Sequence, residues 1–384
     1  MNKLHNGWTE YKLKDLCVIN YGKGLGKSNI VNGNIPVYSS GGIIGFHNTY
    51  NVNSEGVIIG RKGNAGSVFY SDKPFFCIDT AFYIEPNNQY DLKYLFYKLV
   101  SMNLKNHKTG TAIPGLIRND IYKLSISIPP LDEQKRIASA LSKIDAYLEN
   151  TIKLIEEKER FKRGIAKKLL TCKEGENIPE ARFKGFEDEW EIVKLGDICL
   201  INNKSLKENT DKNYKFKYID LTAVKKGIIN FSNDYTNFEN APISARRIIN
   251  KNDIIMATVR PYLLGHAFID FEAKDYICSK GFAVLTANSN IEMKYIYQYL
   301  YSDDMAKQIK SRLVGSTYPT IRLSDIKELK IKIPKSIKEQ EKIGGYLSLL
   351  DKEIDNLKKQ KELIKEMKRG AMQKLLSGEV RLLE

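Results

Sequence analysis

The sequence of this chain repeats itself, and the repeat constrains its fold more than any other feature. Residues 131–171 align with residues 337–377 without a gap, and 15 of the 41 aligned positions are identical. A shorter repeat begins at Trp8 and recurs at Trp190. Each short repeat opens a segment that one of the long repeats closes. The chain is therefore predicted to be two copies of one unit, each a globular part followed by a long repeat.

The long repeats have the apolar spacing of paired helices. In the second repeat, apolar side chains recur at alternating intervals of four and three residues, which is the pattern of a coiled-coil seam. The first repeat keeps the same phase over its first half. Forty helical residues span ~60 Å, and a helix of that length with one apolar stripe needs a partner. The residues predicted to pair the helices are Ile137, Leu141, Ile144, Leu148, Ile343, Leu347, Leu350, Ile354 and Leu357.

The predicted fold class is α+β, with two pseudo-repeated α/β domains, each followed by a long helix, and the two helices pairing as an antiparallel coiled coil. The alternative is that each helix packs its stripe on a local core. Pro129 and Pro130 indicate the first helix start, and the capping-box pair Ser336 and Glu339 indicates the second. Inside the helices, Gly164 and its counterpart at 370 mark either a close helix approach or a kink. The predicted segments are 1–130, the helix 131–171, a linker 172–189, 190–335, and the helix and tail 336–384.

Basic residues outnumber acidic ones, 61 to 46, which gives a formal net charge of +15. Each long repeat carries ten basic and seven acidic residues, so most of the excess lies elsewhere, with +6 in residues 1–130 and +4 in residues 172–335. Nucleic acid is therefore the predicted partner of the globular parts, because neutralised phosphates release counterions. No apolar stretch reaches the length of a membrane span, and the chain is expected to be cytoplasmic.

Few residues suit catalysis or metal binding. The five cysteines form no CxxC pair and the four histidines are scattered, which argues against a disulfide framework and a zinc site. The glycine-rich stretch at 22–27 lacks the spacing of a phosphate-binding loop. Glu272 and Lys274, behind Asp253, could pass for a nuclease motif, but such sets arise by chance in a lysine-rich chain. The chain is predicted to be no enzyme and to bind no metal or cofactor.

Several phrases of the sequence resemble one protein family closely. They are IPPLDEQKRIA (128–138), PEARFKGFEDEW (179–190), LLSGEVRL (375–382) and, in the first globular part, GVIIGRKGNAGSVFY (56–70). On these phrases the chain resembles, over nearly its whole length, the specificity subunits of type I restriction-modification systems. The second globular part matches more loosely, because it keeps Arg260, Gly265 and Gly281 but lacks the central glycine of the first.

The resemblance implies a division of labour within a larger complex. Each globular part would be a target-recognition domain that reads one half of a split site on double-stranded DNA. The paired helices would fix the gap between the halves. Two methyltransferase subunits, which use S-adenosylmethionine to methylate adenine N6, would dock on this chain. Two restriction and translocation subunits, which use ATP and Mg²⁺, would join them.

Within the first globular part, contacts to DNA are predicted in four loops. Arg61 can fork to guanine O6 and N7, and Asn64 can bridge adenine N6 and N7. The glycines of these loops would let the backbone approach DNA, although turn geometry alone also explains them. The predicted contact residues are Lys23, Lys27, Tyr38, Ser39, Ser40, Gly41, Gly42, Arg61, Lys62, Asn64, Lys108, Thr109 and Thr111.

The second globular part offers a comparable set of basic and hydroxyl side chains. Alternating apolar and polar residues at 124–128 and 329–333 predict a strand just ahead of each long helix. The polar loop at 312–318 precedes the second of these strands, as the loop at 107–111 precedes the first. Trp8 and Trp190 are predicted to anchor the two cores rather than to stack on bases. The predicted contact residues are Lys225, Lys226, Arg246, Arg247, Arg260, Tyr262, Lys280, Ser316, Thr317 and Tyr318.

Two other functions are compatible with parts of this pattern. A coiled-coil scaffold or adaptor would use its basic charge only for solubility and would have no salt-sensitive affinity for DNA. A single-chain nuclease would need a catalytic site that no motif in the sequence indicates. The phrases listed above, spread over both copies, favour the DNA-recognition subunit.

Overall fold

The computed structural model describes residues 7–26, 30–108, 115–288 and 290–383. The chain divides into two compact units. Unit 1 comprises residues 1–153 and 359–384, and unit 2 comprises residues 154–358. Each unit therefore combines one globular part with the beginning of the helix that follows it and the end of the other long helix.

Unit 1 is built mainly from short strands. In chain order the strands are β1 (Thr9–Lys12), β2 (Asn20–Tyr21), β3 (Ile35–Ser39), β4 (Gly42–His47), β5 (Gly56–Gly60), β6 (Val68–Ser71), β7 (Phe76–Cys77), β8 (Ala81–Ile84) and β9 (Ser125–Ile128). The helices are α1 (Leu13–Leu16), α2 (Leu92–Ser101), α3 (Arg118–Tyr122) and α4 (Leu131–Leu170), which continues into unit 2.

The strands of unit 1 form two small sheets and one ribbon. The first sheet has the order β2-β8-β5-β6 and is antiparallel, and the second has the order β4-β3-β7, with β3 and β7 parallel. Strand β5 is buried along its whole length, and Val57, Ile58 and Ile59 are fully buried. Because β5 is apolar and lies between β8 and β6, the loop that follows Gly60 is held at one end of this sheet.

Unit 2 repeats this construction. Its strands are β10 (Glu191–Lys194), β11 (Cys199–Ile201), β12 (Lys215–Ile219), β13 (Val224–Lys225), β14 (Ile228–Ile229), β15 (Thr236–Asn237), β16 (Ala245–Ile248), β17 (Ile254–Ala257), β18 (His266–Phe268), β19 (Tyr276–Ser279), β20 (Phe282–Ala287) and β21 (Lys330–Ile333). Its helices are α5 (Leu195–Ile198), α6 (Met293–Tyr299), α7 (Asp303–Lys310), α8 (Leu323–Lys327) and α9 (Ile337–Ser377), which ends in unit 1.

The sheets of unit 2 correspond to those of unit 1. The order β11-β20-β17-β18 matches β2-β8-β5-β6, and β12 pairs in parallel with β19 as β3 does with β7. The ribbons β1–β9 and β10–β21 correspond too, and β9 and β21 are the strands predicted ahead of the helices. Trp8 and Trp190, at the start of each ribbon, are buried as predicted. The fold is therefore one unit used twice, and unit 2 adds a fourth strand, β16, to the second sheet and the separate ribbon β13–β14.

In unit 1 the beginning of α4 packs against both the globular core and the end of α9. Ile137 and Leu141 are fully buried, in one cluster with Leu375 and Leu376 of α9. The Asp145 carboxylate forms an ion pair with Lys368, and Gln360 contacts Tyr147 two residues further along α4. Because the residue numbers on α9 fall as those on α4 rise, the two helices run antiparallel here.

Unit 2 contains the corresponding arrangement with the helices exchanged. Ile343 and Leu347 of α9 are fully buried, in one cluster with Leu169 and Leu170 of α4. Lys162 pairs with Asp351, the counterpart of the pair in unit 1. The antiparallel pairing predicted from the heptad spacing is confirmed, and the same stripe also packs on the globular core. Of the remaining predicted seam residues, Leu350 and Ile354 are buried, and Ile144, Leu148 and Leu357 are half-buried.

One detail of the helix prediction is wrong, and one of the two alternatives for the helix glycines is excluded. The Glu339 carboxylate does not close a capping box with Ser336, because its oxygens accept hydrogen bonds from the Arg182 guanidinium instead. Gly164 and Gly370 mark no close approach, since a Cβ at either position would have no atom within 4 Å. In the part of the chain described here, no helix has the length and apolar character that crossing a membrane requires.

Candidate nucleic-acid interface

In unit 1 the turn between β3 and β4 lies beside the loop that follows β5. Ser39 Oγ accepts a hydrogen bond from the Gly41 N–H at 3.1 Å, which closes the turn. The Ser40 N–H donates to Thr80 Oγ1 at 3.4 Å. A Cβ at Gly60, the last residue of β5, would lie 2.9 Å from the Ser40 carbonyl oxygen. Three of the predicted contact residues, Ser39, Ser40 and Gly41, are thus brought to one end of the sheet.

The loop after β5 holds three further predicted residues and is anchored at its base. The Arg61 and Lys62 N–H groups both donate to the Thr80 carbonyl, at 2.9 and 3.1 Å, and the Leu116 N–H donates to the Arg61 carbonyl at 2.8 Å. The side chains of Lys62 and Asn64 are exposed. A loop with a fixed base and an exposed polar tip can present side chains to a partner without ordering on contact.

The Arg61 side chain is held by an aromatic ring and a carbonyl. Its Cζ lies 4.9 Å from the centroid of the Tyr21 ring, and its Nη1 donates to the Asp79 carbonyl at 3.1 Å. Arg118 approaches the same ring, with its Cζ at 4.6 Å from the centroid. The two guanidinium groups therefore lie within about 10 Å of each other, which is roughly one Debye length at 0.1 M salt.

Tyr21 and Arg118 are functional candidates that the sequence analysis missed. Tyr21 is 44% exposed, two residues before the predicted contact Lys23, whose side chain is also exposed. Arg118 begins α3, and its Nε is buried and has no hydrogen-bond partner among the described residues. Tyr21 has no counterpart in the second copy, and Arg118 recurs only with a shift of one residue, as Arg322 ahead of α8.

Two predicted contacts of unit 1 belong to its interior. The Tyr38 side chain is 7% exposed, lies edge-to-face on Phe75 at 5.6 Å and donates to the Tyr70 carbonyl. Gly42 is buried at φ 98°, where a Cβ would lie 3.2 Å from the Phe69 ring. Both assignments are therefore corrected to structural roles. Of the remaining predictions, Lys108 is exposed, and Lys27, Thr109 and Thr111 lie outside the described residues.

In unit 2 Arg260 lies at the corresponding end of the sheet. Its backbone is left-handed, with φ 46° and ψ 51°, and its N–H donates to the Pro319 carbonyl at 2.7 Å. Its Cζ lies 4.4 Å from the centroid of the Tyr318 ring, and its Nη2 donates to the Thr317 carbonyl at 3.2 Å. The loop predicted at 312–318 and the arginine predicted after β17 therefore form one site.

Other predicted residues of unit 2 lie in adjoining loops. Lys280 is exposed next to Gly281, whose carbonyl accepts the Thr258 N–H at 2.8 Å. Lys225 ends β13 and Lys226 begins the turn of the β13–β14 hairpin. The Lys226 N–H donates to the Leu264 carbonyl at 3.1 Å. The remaining exposed members of the predicted set are Tyr262, Ser316, Thr317 and Tyr318.

Arg246 and Arg247 of β16 both contact other residues of unit 2. The Arg247 guanidinium donates to Ser205 Oγ at 3.0 Å, and its Nε is buried without a partner among the described residues. Arg246 lies on the Phe238 ring at 4.5 Å and donates to the Ala245 carbonyl. Both side chains are thus held within unit 2 and half-buried, and their contact with DNA stays a prediction.

The candidate contact residues lack acidic partners. Among the described residues, no carboxylate oxygen lies within 4.0 Å of a charged nitrogen of Lys23, Lys62, Lys225, Lys226, Lys280, Arg61, Arg118 or Arg260. On the long helices, by contrast, Lys158, Lys162, Lys358 and Lys368 are each paired with a carboxylate of the other helix. The sheet ends therefore carry positive charge without an ion-pair partner among the described residues, which an anion can neutralise.

The groups that could suggest catalysis, buried thiols and the nuclease-like set at 253–274, are placed as follows in the described residues. Burial raises the pKa of Cys17, Cys77 and Cys199 to about 12, so these thiols stay protonated near neutral pH. Asp253 is buried and accepts hydrogen bonds from Asn250 and Thr286, while Glu272 faces solvent, so the two do not form a nuclease-like cluster. Within the described ranges, no three His, Cys, Asp or Glu residues are arranged to hold a metal ion.

Comparison with known proteins places this construction in a family. A family model described as the type I restriction modification DNA specificity domain matches residues 5–157 and again residues 187–366. The type I restriction enzyme MjaVIII specificity subunit of Methanocaldococcus jannaschii is 28% identical over 347 residues, which cover 86% of this chain and 80% of the relative.

Solved structures share the fold. The S subunit of a type I restriction-modification system from M. genitalium matches with a TM-score of 0.70 and 23% identity, covering 98% of this chain and 97% of that one. A chain from a study of complex assembly and conformational transition in a type I R-M system matches with a TM-score of 0.53 and 14% identity, over 99% and 100% of the two chains. Because the family model covers most of the chain in two copies, one for each globular part, this chain belongs to the family of type I restriction-modification DNA specificity subunits.

Proposed function

We propose that this chain is the non-catalytic subunit that gives a type I restriction-modification complex its DNA sequence preference, with each unit reading one half of a bipartite, gapped site. One observation carries the proposal. The two units share their sheet order and the main-chain anchoring of the loops at the sheet ends, yet those loops carry different side chains. A repeated scaffold with different contact residues suits a site whose two halves differ in sequence.

The charge distribution supports DNA as the ligand. The basic side chains at the sheet ends have no carboxylate partners among the described residues, whereas four lysines of the long helices are paired with a carboxylate of the other helix. Each phosphate neutralised by such a group releases counterions, so affinity would fall steeply as salt rises. The polar loop tips around Arg61 and Arg260 supply planar donors of the kind that read base edges.

The long helices would set the gap and serve the other subunits. A continuous helix of 40 residues such as α4 spans ~60 Å, and the buried seam in each unit gives it a fixed antiparallel partner. Two methyltransferase subunits would dock on this chain and use S-adenosylmethionine to methylate adenine N6. Two restriction subunits would join them and use ATP and Mg²⁺, while this chain itself would bind no cofactor.

The test is to express this chain with its methyltransferase subunit in a host without adenine methylation and to map N6-methyladenine by single-molecule sequencing. The expected result is a two-part motif with a fixed gap that is absent when this chain is left out. A soluble complex that methylates no motif would contradict the proposal. DNA affinity that does not change between 50 and 300 mM salt would then indicate a coiled-coil scaffold.

A further inference from the structure

Arg61 and Arg260 lie in corresponding loops of the two units, with Arg260 two positions further along, because Thr258 makes the main-chain bonds that Arg61 makes in unit 1. Arg61 follows β5 directly and Arg260 follows β17 by three residues, and β5 and β17 are the equivalent strands of their sheets. The loop that contains each arginine also forms a β-bridge with the segment that leads to the ribbon strand ahead of the long helix. The residue after Arg61 bridges Gly115, and the residue before Arg260 bridges Thr320. The two arginines therefore lie in the loops at the corresponding ends of equivalent sheets, one in each unit.

Each arginine is stacked on an exposed tyrosine, but the tyrosines come from different elements. Tyr21 of β2 lies 4.9 Å from Arg61 and is 44% exposed. Tyr318 of the return loop lies 4.4 Å from Arg260 and is 64% exposed. An aromatic face attracts a guanidinium group and fixes its plane. The two units thus build one arrangement from residues that do not align, which shared ancestry of the scaffold does not by itself explain.

Each guanidinium group also donates one hydrogen bond to a main-chain carbonyl. Arg61 Nη1 donates to Asp79, and Arg260 Nη2 donates to Thr317. A guanidinium group has five N–H donors. The Arg260 Nε is buried without a partner among the described residues, so that side chain offers its two terminal nitrogens. Both side chains are positioned by the protein and keep donors for an external acceptor.

The backbone of each arginine is fixed as well. The Arg61 carbonyl and N–H are bonded to Leu116 and Thr80. Arg260 adopts a left-handed conformation that non-glycine residues rarely adopt, and a hydrogen bond from its N–H to the Pro319 carbonyl holds it there. Unfavourable backbone conformations persist where the surrounding structure imposes them, often at binding sites.

We infer that Arg61 and Arg260 are the guanine-reading residues of units 1 and 2, so that each half of the DNA site contains a G·C pair recognised by one of them. The inference rests on the proposed function. A phosphate needs only a nearby positive charge, whereas guanine O6 and N7 require two donors in a fixed plane. At both positions the tyrosine ring, the hydrogen bond to a main-chain carbonyl and the anchored backbone hold the guanidinium group in a fixed plane.

The test compares the motifs methylated by complexes carrying the wild-type chain, R61K or R260K. Lysine keeps the charge but loses the planar fork and the stack. In R61K, one G·C position of one half-site is expected to become degenerate while the other half-site stays intact, and in R260K the opposite half is expected to change. K73A and K274A are the matched controls, because each removes an exposed lysine of the same unit that is outside the predicted contact set, and they should leave every position of the motif unchanged.

Each outcome decides the inference. A wild-type motif without a G·C pair in one half, or an R61K or R260K motif identical to the wild-type motif, would overturn it. If a variant methylates nothing, competition binding with duplexes that replace one G·C pair at a time replaces the sequencing. The wild-type complex should lose on the order of 10- to 100-fold in affinity at one position per half, and the variant should lose that discrimination; a variant that retains it contradicts the inference. A wild-type complex with no motif at all would instead refute the proposed function.

Discussion

Glu133 and Arg381 form a bidentate ion pair across 248 positions of the sequence. Arg381 Nε lies 2.7 Å from Glu133 Oε1, and its Nη2 lies 2.7 Å from Oε2. The Glu133 residue is 1% exposed. The residue after Arg381 also donates its N–H to this carboxylate. The pair therefore attaches the segment after α9 to the first turn of α4 within unit 1.

Unit 2 contains the same ion pair. Arg182 donates its Nε and Nη2 to the two oxygens of Glu339, both at 2.8 Å, and Glu339 is also 1% exposed. In both units, therefore, the segment that follows one long helix carries an arginine that binds the buried glutamate at the start of the other. The glutamate is identical in the two long repeats, and in each unit its buried carboxylate binds an arginine.

The first prediction is that R381A destabilises unit 1. The substitution leaves the buried Glu133 carboxylate without its cation, and removing one partner of a buried ion pair typically costs ~3–5 kcal/mol. Because the Arg381 side chain is 21% exposed, water can partly replace it, and we expect about 3 kcal/mol, at the lower end of that range. Urea unfolding measures the change. The control E379A lies in the same segment and removes only an exposed pair with Lys374, so it should change stability by less than about 1 kcal/mol.

These pairs also illustrate what the sequence could and could not predict. The repeat located both long helices to within a residue, because identical local patterns give identical local structure. It identified Glu133 and Glu339 but not their arginine partners, because Arg182 and Arg381 lie at different distances beyond the helix ends and so do not align. A contact between distant segments depends on the fold and leaves no local pattern.

The candidate site was predictable to a similar degree. The loop containing Arg61 was located by its glycines, since a Cβ at Gly60 would meet backbone atoms. Tyr38 was misassigned because three consecutive residues of β3 are buried, so alternation along the strand did not separate an inner face from an outer one. Arg118 was missed because only the fold brings it to the ring of Tyr21.

Two adjacent glycines of α9 are predicted to respond oppositely to alanine. A Cβ at Gly344 would lie 2.6 Å from the Tyr295 backbone nitrogen, whereas a Cβ at Gly345 would have no atom within 4 Å. G344A should therefore destabilise unit 2 by about 1–3 kcal/mol through overpacking, and G345A should stabilise it by up to about 1 kcal/mol through its helix propensity. Urea unfolding measures the change in the free energy of unfolding for both variants. Changes of the same sign in G344A and G345A would contradict the close approach of α9 to α6.

His266 is predicted to make unit 2 sensitive to acid. The imidazole is fully buried, its Nδ1 accepts the Ala257 N–H at 3.2 Å, and burial lowers its pKa from 6.5 to about 4. The stability that depends on neutral His266 is present above pH 6.5 and is lost as the pH falls through 4, because the unfolded chain binds the proton first. The difference in pKa corresponds to about 3 kcal/mol. The gap in unfolding free energy between wild type and H266Q should narrow by about that amount from pH 7 to pH 4, whereas H107Q, which alters an exposed histidine, should follow the wild-type curve.

Arg118 is predicted to bind a phosphate rather than a base. Its guanidinium group has no carboxylate partner among the described residues and shares the Tyr21 ring with Arg61, so two like charges lie within about one Debye length of each other. A DNA phosphate beside them would relieve that repulsion.

R118A should therefore weaken binding to specific and non-specific duplexes alike and reduce the slope of log K against log[salt] by about 0.9, with the methylated motif unchanged. Titrations between 50 and 300 mM salt measure the slope. K123A is the control, because Lys123 follows the same short helix and is already paired with Asp120; its slope should equal the wild-type value. If R118A instead changed one position of the motif and left the slope intact, Arg118 would be a base-reading residue, and the division of roles between the two arginines on Tyr21 would have to be reversed.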